Sequence, residues 1–143
     1  MKTPASTLTI FGVREVRILA IDPGPLESAW VIYEDATRRV CSHAKVENDE
    51  VLAMLSLSPD CHEVVIEMVA CYGMAVGAEV FETVFWIGRF WEIARRDIGV
   101  TRLYRKDVKM HLCNSMRAKD GNIRQALIDK LGAPGTKKNP SRC

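Results

Sequence analysis

Apolar residues come along this chain in short, branched runs, and two of those runs end on an acid. Val16-Arg17-Ile18-Leu19-Ala20-Ile21 leads into Asp22-Pro23-Gly24, which reads as a buried strand stopped by a turn. His62-Glu63-Val64-Val65-Ile66 leads in the same way into Glu67, with Gly73 and Gly77 in the segment beyond. Between the two, Ala29 to Tyr33 and Arg38 to Val46 read as strands around a Glu34-Asp35-Ala36-Thr37 turn. Separations this short make the first three strands antiparallel neighbours. Asn48 or Asp49 is placed to cap a short helix through Val51, Leu52 and Leu55 that ends near Pro59.

The strongest helical pattern runs from Val76 to Arg96. Phe81, Val84, Phe85, Gly88 and Trp91 share one face at i, i+3, i+4, i+7 spacing, and Trp86, Phe90 and Ile93 form a second stripe. A helix apolar on two sides needs two partners, here its own sheet and a second subunit. Phe81, Phe85, Trp86 and Phe90 are the residues expected at that dimer contact, with Gly88 admitting close approach. Gly99 closes the helix and Val100 to Tyr104 reads as a fifth strand. Lys106 to Asn114 follows as a helix with Val108, Leu112 and Cys113 inward. After the basic linker Arg117-Ala118-Lys119, Asp120 caps a last helix whose Ile123, Leu127 and Leu131 face inward and whose Gly132 ends it. The expectation is one α/β domain over residues 15–132, with a mixed five-stranded sheet flanked by helices. A loose arm (1–14) precedes it and a basic mobile tail (133–143) follows.

Composition changes this picture in two places. The net charge of +2 conceals a division: residues 1–94 carry 7 basic against 14 acidic side chains, and residues 95–143 carry 13 against 4. A basic C-terminal third beside an acidic edge suits a polyanion held by one part and processed by another, although a solvated basic face would look the same. The five cysteines are scattered without a CxxC pair, so neither a disulfide framework nor a zinc ribbon is supported. No apolar run approaches the roughly 18–20 residues of a membrane span and no signal-peptide layout opens the chain, so an intracellular (cytoplasmic) protein without membrane attachment is expected. Asp22 alone reads as a turn residue. Asp22 and Glu67 together, on two core strands, would repel unless one is protonated or a divalent cation lies between them, which favours a metal site.

In order and spacing these motifs resemble the ribonuclease H-like fold, and within it the RuvC-type Holliday junction resolvases. Ile18-Leu19-Ala20-Ile21-Asp22-Pro23-Gly24 is similar to their opening strand, and Val64-Val65-Ile66-Glu67 with the glycine loop and long helix to their second acidic strand. Tyr104-Arg105-Lys106-Asp107-Val108-Lys109 is similar to the segment feeding their basic helix, and Lys119 to Leu127 to the matching helix of phage-type members. The resemblance spans about Arg17 to Gly132. It implies a dimeric endonuclease that binds four-way DNA junctions and nicks them with Mg²⁺, or Mn²⁺ in its place, and needs no nucleotide cofactor. Asp22 and Glu67 are then the catalytic metal ligands. Arg102, Arg105, Lys106, Lys109, Arg117, Lys119 and Arg124 are the expected phosphate contacts. Tyr72 either stacks on an unpaired base at the crossover or packs over the sheet edge.

The same resemblance implies a further helix carrying one or two more acids. After Glu92 the only acids are Asp97, Asp107, Asp120 and Asp129, and none stands in that motif. Asp120 is the nearest candidate for a third ligand and reads more readily as a helix cap. The expectation is therefore a chain that binds junctions better than it cuts them. A non-catalytic binder of branched DNA is the alternative, and an actin-like nucleotide-binding domain, which needs a second phosphate loop and a second domain, ranks last.

Overall fold

The computed structural model describes residues 15–134; the expected N-terminal arm and most of the tail lie outside the described residues. Five strands and four helices follow one another: β1 (Arg17–Asp22), β2 (Glu27–Glu34), β3 (Arg39–Glu47), α1 (Asn48–Ser56), β4 (Glu63–Met68), α2 (Ala78–Ala94), β5 (Gly99–Tyr104), α3 (Arg105–Cys113) and α4 (Asp120–Leu131). The sheet order is β3-β2-β1-β4-β5. β1, β2 and β3 pair antiparallel, while β4 joins β1, and β5 joins β4, in parallel. The mixed five-stranded sheet anticipated from the run pattern is present, with element boundaries within about three residues of those expected; the largest departure is α1, which ends at Ser56 where the expectation was near Pro59.

Period-two alternation decides which side of the sheet is the core. Leu19 and Ile21 of β1 and Val64 and Ile66 of β4 are buried on one face, against Val51 and Leu55 of α1 and Ile87, Phe90 and Ala94 of α2. The inward face of α2 is thus Thr83, Ile87, Phe90 and Ala94. Phe90 is fully buried there, so it belongs to the protomer's own core and not to the outer stripe expected to meet a second subunit. Trp86 is half-buried on Phe90, with ring centroids 5.8 Å apart. Phe81, Val84 and Phe85 are exposed. Gly88 has no neighbour a Cβ would meet, so it mediates no close helix approach within the protomer.

The other face of the sheet is thinly covered. No residue of α3 is buried, and Ile123 is the only buried residue of α4. Leu127 and Leu131, expected to face inward, are 41% and 45% exposed. They line a cleft of about 580 Å³ with Val31, Val40 and Ile128, rimmed by Arg38, Arg39 and Arg124. α4 stands off β2 and β3 here, and its apolar stripe is only partly covered.

Candidate active site

Parallel pairing brings the two acids level. Ile21 of β1 is in register with Ile66 of β4, so the next residue on each strand, Asp22 and Glu67, sits at the same height on the opposite face. This is the C-terminal end of the parallel strands, where open α/β sheets place ligand chemistry. Burial raises the Glu67 pKa, the Asp22 charge raises it further, and the Arg105 guanidinium opposes both. A divalent cation beside Glu67 would offset the Asp22 charge that acts on it, and hard carboxylate oxygens on a half-buried edge are a donor set suited to Mg²⁺. Asp22 also opens onto a cleft of about 420 Å³ formed by Pro23 to Glu27, Ala29 and Lys45.

The loop that follows Asp22 is fixed by a buried polar triangle. Ser28 Oγ donates to Asn48 Oδ1 at 2.5 Å, Asn48 Nδ2 donates to the Gly24 carbonyl at 2.9 Å, and the Gly24 N–H donates to Ser28 Oγ at 3.3 Å. Ser28 and Asn48 are each 1% exposed, so these bonds satisfy groups that would otherwise be costly to bury. Gly24 is required by a close approach, since a Cβ there would lie 2.4 Å from the Glu27 carbonyl oxygen. Asn48 is therefore not the cap of α1. It is the first helical residue and its side chain reaches back to the loop after Asp22.

Asp120 likewise is not a cap. Lys119 holds the N-cap position, and its N–H is accepted by Asn122 Oδ1 at 2.9 Å. The Asp120 carboxylate accepts instead from Arg105 Nη2 at 2.6 Å, while Arg105 Nη1 lies 3.5 Å from Glu67 Oε1. That bond and the Arg105 charge hold the Asp120 carboxyl below the usual range, with help from Lys109, and Asp120 holds Arg105 firmly protonated. Asp22, Glu67, Arg105 and Asp120 thus form one chain of alternating influence. Among the described residues, which include every acid of the sequence, no three acids converge tightly enough to hold a metal.

The expected phosphate contacts divide into groups. Arg105, Lys106 and Lys109 sit on α3 beside the carboxylates, and Lys106 lies 5.7 Å from the Tyr104 ring centroid. Arg117 and Lys119 are exposed in the linker between α3 and α4. Arg124 lines the α4 cleft. Arg102 departs from the group: in register with Ile66, it lies on the α2 face of the sheet with its guanidinium 5.3 Å from the Trp91 ring centroid. Tyr72 is 67% exposed with a left-handed φ of 47°, so it does not pack over the sheet edge. Lys45, ion-paired to Glu27 at 3.5 Å beside the Asp22 cleft, was not anticipated. It stands in the acidic part of the chain, and only the β2–β3 register brings it to this edge.

No protein-family model matches the sequence, and no curated protein matches it by sequence. Solved structures do match. RuvC of Thermus thermophilus is similar over 89% of this chain and 85% of its own, with a TM-score of 0.64 at 16% identity. The same protein in complex with a Holliday junction substrate is similar over 89% and 84%, with a TM-score of 0.65 at 17% identity. The fold is that of RuvC. The phage-type affinity rests on the Lys119 to Leu127 motif alone. Among the described residues, no helix is long and apolar enough to cross a membrane.

Proposed function

We propose that this chain is a structure-selective endonuclease that binds four-way DNA junctions as a two-fold dimer and nicks them by metal-dependent phosphodiester hydrolysis. The observation that carries the reading is the level placement of Asp22 and Glu67 on adjacent parallel strands, within a fold shared with a protein known bound to a Holliday junction. Asp22 and Glu67 are the metal ligands; a divalent ion held there, Mg²⁺ or Mn²⁺, would lower the pKa of an attacking water and offset charge on the leaving oxygen. The loop tied by Asn48 keeps Asp22 oriented, and Lys106, Lys109, Arg117 and Lys119 neutralise phosphates along the approach. Tyr72, held outward at the loop tip, offers an aromatic face to an unpaired base at the crossover. The exposed Phe81, Val84 and Phe85 face of α2 is the dimer contact, and two-fold pairing matches the symmetry of a junction.

The test is nicking of a labelled four-way junction with Mg²⁺ or Mn²⁺ against the same arms as linear duplex. Junction-selective nicks that disappear in Asp22→Asn support the reading; equal cleavage of duplex would sink it. A second reading, a junction binder without cleavage, is favoured by one observation: only two acids meet at the sheet end. Tight junction binding with no metal-dependent nicking would establish that alternative.

A further inference from the structure

The carboxylates at this end of the sheet are not left equivalent. Glu67 faces Asp22 on one side and the Arg105 guanidinium, 3.5 Å away, on the other. Asp120, which by position could have been a third metal ligand, is taken up by Arg105 at 2.6 Å. Arg105 comes from the first residue of α3 and Asp120 from the first residue of α4, so the pair also joins two helix starts. Its side chain is half exposed and that of Asp120 is 82% exposed, yet Arg105 makes two contacts rather than extending into solvent.

Resting on the nuclease reading, we infer that Arg105, anchored by Asp120, is the built-in second cation of the Asp22–Glu67 site, so that the site takes a single divalent ion. The charges favour this division. Asp22 and Glu67 together carry −2, which one divalent ion balances; Asp120 carries −1, which Arg105 balances. A second divalent ion would need oxygens from Glu67 and Asp120, and would have to displace a guanidinium that contacts both. A guanidinium cannot lose its proton to make way, so displacement means moving a full positive charge away from two carboxylates. Asp120 is accordingly a positioning residue that sets where Arg105 sits, and no ligand.

The experiment is a titration of the DNA-free full chain with Mn²⁺, reading free ion by electron paramagnetic resonance at neutral pH. The wild type should bind one Mn²⁺ per chain, and Asp22→Asn or Glu67→Gln should weaken that binding at least about tenfold, as loss of one of two charged ligands demands. Arg105→Gln should bind its first ion about tenfold more tightly, since a like charge a few ångströms away is gone, and should take up a second ion. Adding Asp120→Asn to Arg105→Gln should abolish that second ion and leave the first. Arg105 and Asp120 are surface side chains, so an unchanged circular dichroism spectrum and melting curve are expected for each variant and establish that they fold. Two ions in the wild type, or unchanged stoichiometry and affinity in Arg105→Gln, overturn the inference while leaving the metal site standing. If no Mn²⁺ binding depends on Asp22, the metal-dependent nuclease reading fails, and this inference fails with it.

Discussion

Asn48 Nδ2 reaches the carbonyl of Gly24 at 2.9 Å, tying the start of α1 to the loop two residues beyond Asp22. The bond is part-buried, and losing the Asn48 side chain leaves the buried Ser28 hydroxyl without its acceptor. Asn48→Ala should therefore lower stability by about 2–3 kcal/mol, the usual penalty for orphaned buried polar groups. Nicking should fall more than junction binding, because Asp22 loses its support while the basic helices do not. Denaturant unfolding and parallel nicking and binding assays check both parts.

Glu67 gives a pH signature. Its carboxyl is raised in the folded chain, by burial first and by Asp22 second, so the folded state holds this proton more tightly than the unfolded state does. Stability from this group is thus fully present below its ordinary carboxylate range and declines as pH rises through that range toward the folded value. Glu67→Gln should melt higher than wild type at neutral pH, and the gap should close in acid. Mg²⁺ or Mn²⁺ should raise the wild-type melting temperature and leave Glu67→Gln nearly unaffected.

On the proposed function, removing the metal should separate cutting from binding. With excess EDTA, nicking should stop while junction binding persists, weakened at most a few-fold, because the phosphate contacts on α3 and in the linker need no ion. Raising salt should weaken binding steeply, and Lys106→Ala or Lys119→Ala should each reduce the log–log salt slope by about 1. Arg102→Ala should leave the slope unchanged, because Arg102 lies over Trp91 on the far face. Gel-shift titrations over a salt series distinguish them.

The exposed phenylalanines of α2 predict the oligomeric state. Phe81 and Phe85 are 66% and 60% exposed, and burying each against a second copy should supply about 2 kcal/mol. The double variant Phe81→Glu and Phe85→Glu should sediment as a folded monomer where the wild type is a dimer at micromolar concentration. Phe90→Ala should instead destabilise the protomer by about 3–5 kcal/mol, as a cavity in the core does.

Tyr72 supplies the last prediction. Tyr72→Ala should lower preference for junction over duplex by about tenfold, in keeping with the ~1–3 kcal/mol of one base–aromatic stack, without altering the melting curve. Competition binding with both DNA forms reads the change directly.

The acids were legible in the sequence because each follows a run of branched apolar residues, and such runs place strand ends to within a residue or so. Which face of α2 would be inward was not. Glu82, Arg89 and Glu92 mark a polar side, but Phe81, Phe85 and Trp86 intrude on or flank it, and packing on Leu19 and Ile66 selects Ile87 and Phe90. Asn48 and Asp120 both looked like caps because Asn and Asp at a helix start usually are. Their true partners, Gly24 and Arg105, lie 24 and 15 residues away, where no local signal reaches. The position of Arg102 was set by strand parity, which its charge obscured.

The parallel contact between β1 and β4 has a consequence in time. β1, β2 and β3 can pair as each emerges, since each neighbour follows the last by a short turn. Asp22 and Glu67 lie 45 positions apart in the sequence and meet only once β4 has docked beside β1, a non-local closure that is slow relative to hairpin formation. A nascent or partly unfolded chain therefore holds Asp22 and Glu67 apart. If the chain is the nuclease proposed above, its cutting is thereby confined to molecules in which the sheet is complete.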